Sequence, residues 1–146
     1  MSRPVQDVRE LFAAKGIRTT AQRLAVYQYL VEHPIHPTAA TIFAGLNPRY
    51  PTMSRATVYN ALEVLTRKGL VQQLDLGEGV NRYDGNPDFH VHVICRACGQ
   101  VEDVEGDGAL TDLERRVAQR LGFSVEERRF ELFGLCRRCA AAKRPR

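Results

Sequence analysis

The four cysteines and two of the four histidines of this chain fall where metal chemistry would use them. Cys95 and Cys98 form one Cys-x2-Cys knuckle, closed by Gly99, and Cys136 and Cys139 form a second. Each knuckle presents two thiolates on one side of a tight turn, and two knuckles complete the tetrahedron that Zn²⁺ prefers. Four sulfur ligands leave no open position, so this reads as a structural site, contributing folding free energy on the order of 10 kcal/mol. Just before the first knuckle, His90 and His92 stand in HVHVIC, a β-branched run that reads as a strand. Alternate residues of a strand share a face, so the two imidazoles point the same way, about 6–7 Å apart along the backbone. Asp84 and Asp103 bound this stretch, so a nitrogen/oxygen site and a sulfur site share it.

The elements that must position these groups lie on both sides. Pro4–Ala14 reads as a short amphipathic helix, with Val5, Val8, Leu11 and Phe12 at helical spacing, stopped by Gly16. Thr20 caps a second helix, Ala21–Glu32, with Leu24, Tyr27, Leu30 and Val31 on one face. Pro34 and Pro37 break the chain, and Thr38 caps a third helix to about Leu46. Ser54 opens the strongest helix, to about Lys68, whose Val58, Ala61, Leu62 and Leu65 form a core-facing stripe. Arg55, Tyr59, Asn60 and Glu63 lie off that stripe. After Gly69, two strands around Gly77-Glu78-Gly79 read as a hairpin. Helices followed by such a hairpin make a winged helix-turn-helix, with Ser54–Lys68 as the recognition helix for the major groove.

Beyond the HVHVIC strand, GQVEDVEG reads as a further strand and Thr111–Leu121 as a helix, with Leu110, Leu113, Val117 and Leu121 on one stripe. FSVEERRFELFGLC reads as a long strand or a bulged pair, and the basic tail AAAKRPR as a frayed end. Strand–strand–helix–strand is a small α+β unit with little core, so it should pair with a second copy and be stapled by metal. The expected fold class is α+β. A winged helix-turn-helix DNA-binding domain spans 1–84, a hinge lies at about 83–88, and an α/β dimerisation domain with the four-cysteine zinc site spans 89–146.

The chain has 146 residues, 44% hydrophobic and 26% charged, as in a soluble globular protein of one medium domain or two small ones. No apolar run approaches the roughly 20 residues of a membrane helix, and the N-terminus lacks the apolar core of a signal peptide. The expected location is the cytoplasm, where thiols stay reduced and bind metal in preference to forming disulfides. The net charge is only +4, but Arg18, Arg23, Arg49, Arg55, Arg67 and Lys68 all fall in the first half, which hints at nucleic acid.

GIRTTAQR, HPTA, TVYNALEVLTRKGLV, RYD, HVHVICRACG and the late CRRC resemble, in order and spacing, the ferric uptake regulator family of metal-dependent repressors, from about Val5 to Ala142. Ala21 departs from a proline common in the family; alanine also fits a first helical position. Within the family the sequence looks most like the peroxide-responsive branch. Asp84 stands where iron-responsive relatives typically have Glu, Asn60 stands where they have Arg, and no histidine follows His92 to complete their further site. The resemblance implies a regulatory Fe²⁺ or Mn²⁺ site of His36, Asp84, His90, His92 and Asp103, with Asp103 the position most associated with peroxide sensitivity. It implies a homodimer on palindromic double-stranded operator DNA, with Lys15, Arg18, Arg23, Ser54, Arg55, Thr57, Tyr59 and Asn60 as DNA-binding residues.

Three imidazoles and two carboxylates without thiolate suit Fe²⁺ or Mn²⁺, and five ligands leave a sixth octahedral position for peroxide. By the resemblance, bound Fe²⁺ reduces peroxide, a ligand histidine (His36 or His90) gains oxygen, and DNA is released; Mn²⁺ lacks this reaction. The competing readings are an iron- or manganese-responsive uptake regulator without peroxide sensing, a zinc-uptake regulator, and a thiol switch at the cysteines. A hydrolase or oxygenase using His90, His92 and Asp103 as a facial triad would leave the helix–hairpin half unexplained. The chain is expected to be no enzyme, with no membrane association and no small-molecule substrate apart from peroxide as signal.

Overall fold

The structure, a computed structural model, describes residues 5–86, 88, 90–106, 108–126 and 128–143. The chain divides into two compact units, Met1–Pro87 and Asp88–Arg146. No helix among the described residues is long and apolar enough to cross a membrane.

The first unit comprises α1 (Val5–Ala14), α2 (Ala21–Glu32), α3 (Ala39–Leu46), α4 (Arg55–Arg67) and a hairpin of β1 (Gln72–Asp75) and β2 (Asn81–Asp84). Three helices begin where a hydroxyl replaces the missing helical partner of an amide. Thr20 accepts from Arg23 N–H, Thr38 from Thr41 N–H and Ser54 from Thr57 N–H, at 3.2, 3.2 and 3.1 Å. Each such cap is worth about 1 kcal/mol. The apolar stripes meet in one core containing Phe12, Tyr27, Leu30, Ile42, Leu62 and Leu65. Phe12 and Tyr27 pack edge-on there, centroids 5.6 Å apart.

The hairpin pairs Gln72 with Asp84 at its base and Asp75 with Asn81 near its tip. Gly77 and Gly79, at φ 76° and 79°, supply the left-handed turn. The segment before α3 is sewn to β2 by an antiparallel bridge between Thr38 and Arg82 and by Tyr83 N–H donating to Pro37 C=O at 2.9 Å. At Gly85 a Cβ would lie 3.1 Å from Leu30 Cβ, so glycine lets the chain leave the hairpin tightly against α2.

In the second unit β3 (His90–Cys95) is central in the order β4-β3-β5. It runs antiparallel to β4 (Val101–Glu105) and parallel to β5 (Glu131–Gly134), with α5 (Gly108–Leu121) on the crossover and α6 (Arg137–Lys143) closing the described chain.

Three sequence expectations need correction. Among the described residues of FSVEERRFELFGLC, which leave out Glu127, only Glu131–Gly134 is strand. Alternation is necessary for a strand, but its backbone also needs a neighbour, and β5 has one only where it runs beside His92–Cys95. The frayed tail is, through Lys143, the helix α6, as its Arg, Ala and Lys content favours; Arg144–Arg146 lie outside the described residues. Helix α5 starts at Gly108, three residues before the expected Thr111. Pro4 and the Pro87 part of the expected hinge also lie outside the described residues.

Candidate metal centres and nucleic-acid interface

The sheet itself assembles the cysteines. Cys95 ends β3, where its N–H donates to Gln100 C=O and its C=O accepts from Gly99 N–H, both at 2.9 Å, turning the chain through Cys98. Arg96 N–H donates to Gly134 C=O at 2.8 Å, which delivers Cys136 beside the knuckle two residues later. Cys136 immediately precedes α6 and Cys139 lies in its first turn. The four Sγ atoms lie within 4.8 Å of one another. A tetrahedron of Zn–S bonds near 2.3 Å has S···S edges of about 3.8 Å. Cys98 and Cys136 are 3.9 Å apart, matching that edge and far from the ~2.05 Å of a disulfide.

Electrostatics point the same way. Cys136 N–H donates to Cys95 Sγ at 3.3 Å. That amide, then the amide of Cys98, lowers the Cys95 thiol to about 6. Cys139 is pushed up to about 12, chiefly because its thiol is tied to Cys136 and then by burial. The cluster thus favours a thiolate at Cys95 and a thiol at Cys139, and a cation that gathers the four sulfurs would displace that proton, since metal binding to thiols releases protons. Arg138, which sequence reading passed over, stands beside Cys98; hydrogen bonding to that sulfur raises its guanidinium above the ordinary value.

Within the second unit, the register sets His92 opposite Asp103. Asp103 Oδ1 lies 3.5 Å from His90 Nε2 and 3.6 Å from His92 Nε2, and the two rings meet edge-on with centroids 4.4 Å apart. These separations exceed a hydrogen bond but suit atoms sharing one ion at about 2.0–2.2 Å, whose donors sit roughly 3–3.6 Å apart. His90 Nδ1 is 2.6 Å from Asp88 C=O. A carbonyl only accepts, so Nδ1 carries the proton and Nε2 is left as a lone-pair donor. Being backbone, that carbonyl left no mark in the residue types.

Within the first unit, His36 Nε2 lies 3.4 Å from Asp84 Oδ2, while Asp84 Oδ1 accepts from Asn86 N–H at 2.9 Å. The stitching between Pro37 and Tyr83 places these two residues side by side. His36, Asp84, His90 and His92 are all buried, at 4, 6, 5 and 3% exposure. Buried groups of this polarity need a compensating partner such as a cation. By contrast, His33 is exposed and stacks on Tyr29 at the end of α2, with centroids 4.1 Å apart.

The candidate DNA residues fall on the outside of the helical unit. On α4, Arg55 and Asn60 are exposed and Tyr59 is 54% exposed, opposite the buried stripe. Ser54 and half-buried Thr57 join hydroxyls at 2.9 Å, so part of their hydrogen-bonding capacity serves the cap. Arg55 lies over the Phe43 ring at 5.4 Å. Lys15 and Arg18 are exposed, and half-buried Arg23 donates to Arg18 C=O at 2.8 Å, shaping the α1–α2 loop.

Residues 14–133 match the model of the Ferric uptake regulator family. The chain is 38% identical over 136 residues to the peroxide operon regulator of Bacillus subtilis, covering 93% of each protein. It is 39% identical over 124 residues to the peroxide-responsive repressor PerR of Staphylococcus aureus, covering 85% of this chain and 83% of that one. Its fold is similar to the Campylobacter jejuni peroxide stress regulator, with a TM-score of 0.72, 27% identity and 94% and 99% of the two chains covered.

Proposed function

This chain belongs to the ferric uptake regulator family, and we propose that it is a metal-dependent transcriptional repressor that leaves its operator when peroxide appears. The observation that carries the reading is the donor set: three buried imidazoles, the buried Asp84 and the exposed Asp103, with no thiolate among them, apart from a complete four-cysteine cluster. The names of the relatives at 38–39% identity favour peroxide over iron supply as the signal.

In this reading the cysteines hold structural Zn²⁺. His36 and Asp84 from the first unit, with His90, His92 and Asp103 from the second, hold Fe²⁺ or Mn²⁺. Nitrogen and oxygen donors suit those ions, and two carboxylates balance the divalent charge. When bound, Fe²⁺ would supply the electrons that reduce peroxide and so generate the oxidant for a neighbouring histidine. The protein's part is to hold Nε2 of His90 unprotonated through the Asp88 carbonyl and to keep a carboxylate beside each imidazole group. Because the donors come from both units, a shared ion favours one arrangement of the two over others, by its differential affinity for them. Oxidation of a donor histidine removes that preference, and DNA is released.

The proposed working form is a homodimer on a palindromic operator in the cytoplasm. Support for the dimer comes from apolar side chains of the second unit, with Leu121 73%, Phe123 59% and Leu132 60% exposed, a surface a second copy would cover. The same protein need carry no enzymatic turnover.

Operator fragments selected from genomic DNA provide the test. Mn²⁺ should raise their affinity at least about tenfold, which corresponds to a coupling of ~1.4 kcal/mol. Tyr59→Ala and Asn60→Ala should each weaken operator binding by about 1–3 kcal/mol, with metal content and dimerisation unchanged. Lys15→Ala should weaken binding to all sequences alike and flatten its salt dependence. Wild-type operator affinity in Tyr59→Ala would remove α4 from the groove.

A further inference from the structure

Resting on the repressor reading, a second line of coupling runs entirely inside the first unit. His36 has φ 54°, the one non-glycine left-handed residue among those described. Histidine tolerates that region better than most residues, but His36 precedes Pro37, and the proline ring pushes a preceding residue toward extended backbone. The conformation therefore persists only where its surroundings hold it. One side is held by the buried His36 ring beside Asp84. The other is held by Pro37 C=O accepting from Tyr83 N–H at 2.9 Å and by the bridge from Thr38 to Arg82.

Both tethers end on β2, and β2 leads to the hairpin tip and to the α4 surface. Arg82 grips Glu78 at the tip through two hydrogen bonds, Nε to Oε2 at 2.9 Å and Nη2 to Oε1 at 2.8 Å. Tyr83 is buried in the same core as Val58, Leu62 and Leu65, the inward stripe of α4. A turn of the His36–Pro37 backbone toward its relaxed extended form would withdraw the Pro37 carbonyl from Tyr83 and loosen the edge that sets the hairpin.

We propose that the His36–Pro37 segment is a strained latch: His36 held left-handed keeps β2 docked on the α3 entry and the hairpin set for DNA, and release of His36 frees them. The unit then carries two states of its own, and any group that binds His36 in the left-handed form biases them toward the docked one. Arg82 and Glu78 act as positioning residues at the far end. This signal differs from a change in how the two units are arranged, because it requires only residues 36–38 and 78–84.

The test is hydrogen exchange in the full-length, zinc-loaded protein, read amide by amide with and without Mn²⁺. Occupancy should slow exchange of the Tyr83 amide at least about tenfold and slow the hairpin-tip amides less. Pro37→Gly keeps every proposed ligand and the residue-37 carbonyl while removing the constraint. With the push toward extended backbone gone, the docked form needs less holding, so operator affinity without Mn²⁺ should rise about tenfold and the gain on adding Mn²⁺ should shrink to match. Equal Tyr83 exchange with and without Mn²⁺, while operator binding still rises with Mn²⁺, overturns the latch and spares the repressor reading. An unchanged operator affinity without Mn²⁺ in Pro37→Gly overturns it too. Should Pro37→Gly fail to fold, the wild-type exchange decides. Should operator binding ignore Mn²⁺ altogether, the repressor reading fails, and the Tyr83 amide alone decides whether the latch stands.

Discussion

Cys139→Ser is expected to abolish zinc retention and to unfold the second unit while the first stays folded. The imbalance in burial is the reason. The hydrophobic core cluster consists of residues from Val8 to Tyr83, all in the first unit. In the second unit, α5, β5 and α6 bury no described residue. Such a unit has little apolar burial to offset its chain entropy, so a structural metal site must contribute most of its stability. Serine cannot replace the thiolate as a zinc ligand, and the remaining three sulfurs no longer close the tetrahedron. The loss, on the order of 10 kcal/mol, exceeds what a small unit has in reserve. Zinc content, and thermal unfolding followed with probes in each unit, would read the effect. A variant with full zinc and an unshifted second-unit transition would rule out the structural role.

His90→Ala is expected to lower Mn²⁺ affinity by more than about 100-fold, since altering even an outer partner of a ligand costs 10–100-fold. It also takes from exposed Asp103 and buried His92 one of their imidazole neighbours. Operator binding should then lose its Mn²⁺ response while zinc content stays unchanged, because His90 lies at the opposite end of β3 from Cys95. His33→Ala is the control. That imidazole is exposed at the end of α2, and its removal should leave the Mn²⁺ response intact. An equal loss in both variants would mean the effect is on folding and not on the ion.

Much of this was legible from residue types because the site is built on regular elements. The stripe of α4 and the alternation of β3 are periodic, so Val58, Ala61, Leu62 and Leu65 turn inward, and the register sets His92 against Asp103. Caps at Thr20, Thr38 and Ser54 were legible for the same reason: a hydroxyl before an apolar-periodic run has one cheap use. Periodicity fails where pairing decides. The alternation of FSVEERRFELFGLC extends well beyond the four residues that find a neighbour in β3. On α5 the apolar stripe correctly marked a face, but that face is open in a single copy, with Leu121 73% exposed. Backbone roles were invisible altogether. The Asp88 carbonyl that fixes the His90 tautomer and the Pro37 carbonyl that holds Tyr83 depend on folded geometry and carry no signature in the letters.

The peroxide claim is tested most directly by comparing Fe²⁺-loaded and Mn²⁺-loaded protein, prepared without oxygen and given modest peroxide, for operator binding and peptide mass. The Fe²⁺ form should lose operator binding and gain one oxygen atom on the peptide holding His36 or the one holding His90. The Mn²⁺ form should keep its operator and its mass. Asp103→Glu, one methylene longer and able to fill the open position with its second oxygen, should bind operator with metal but respond sluggishly. Oxygen found instead on Cys95 or Cys98, with the histidines untouched, would contradict the account and make the cysteines the sensor.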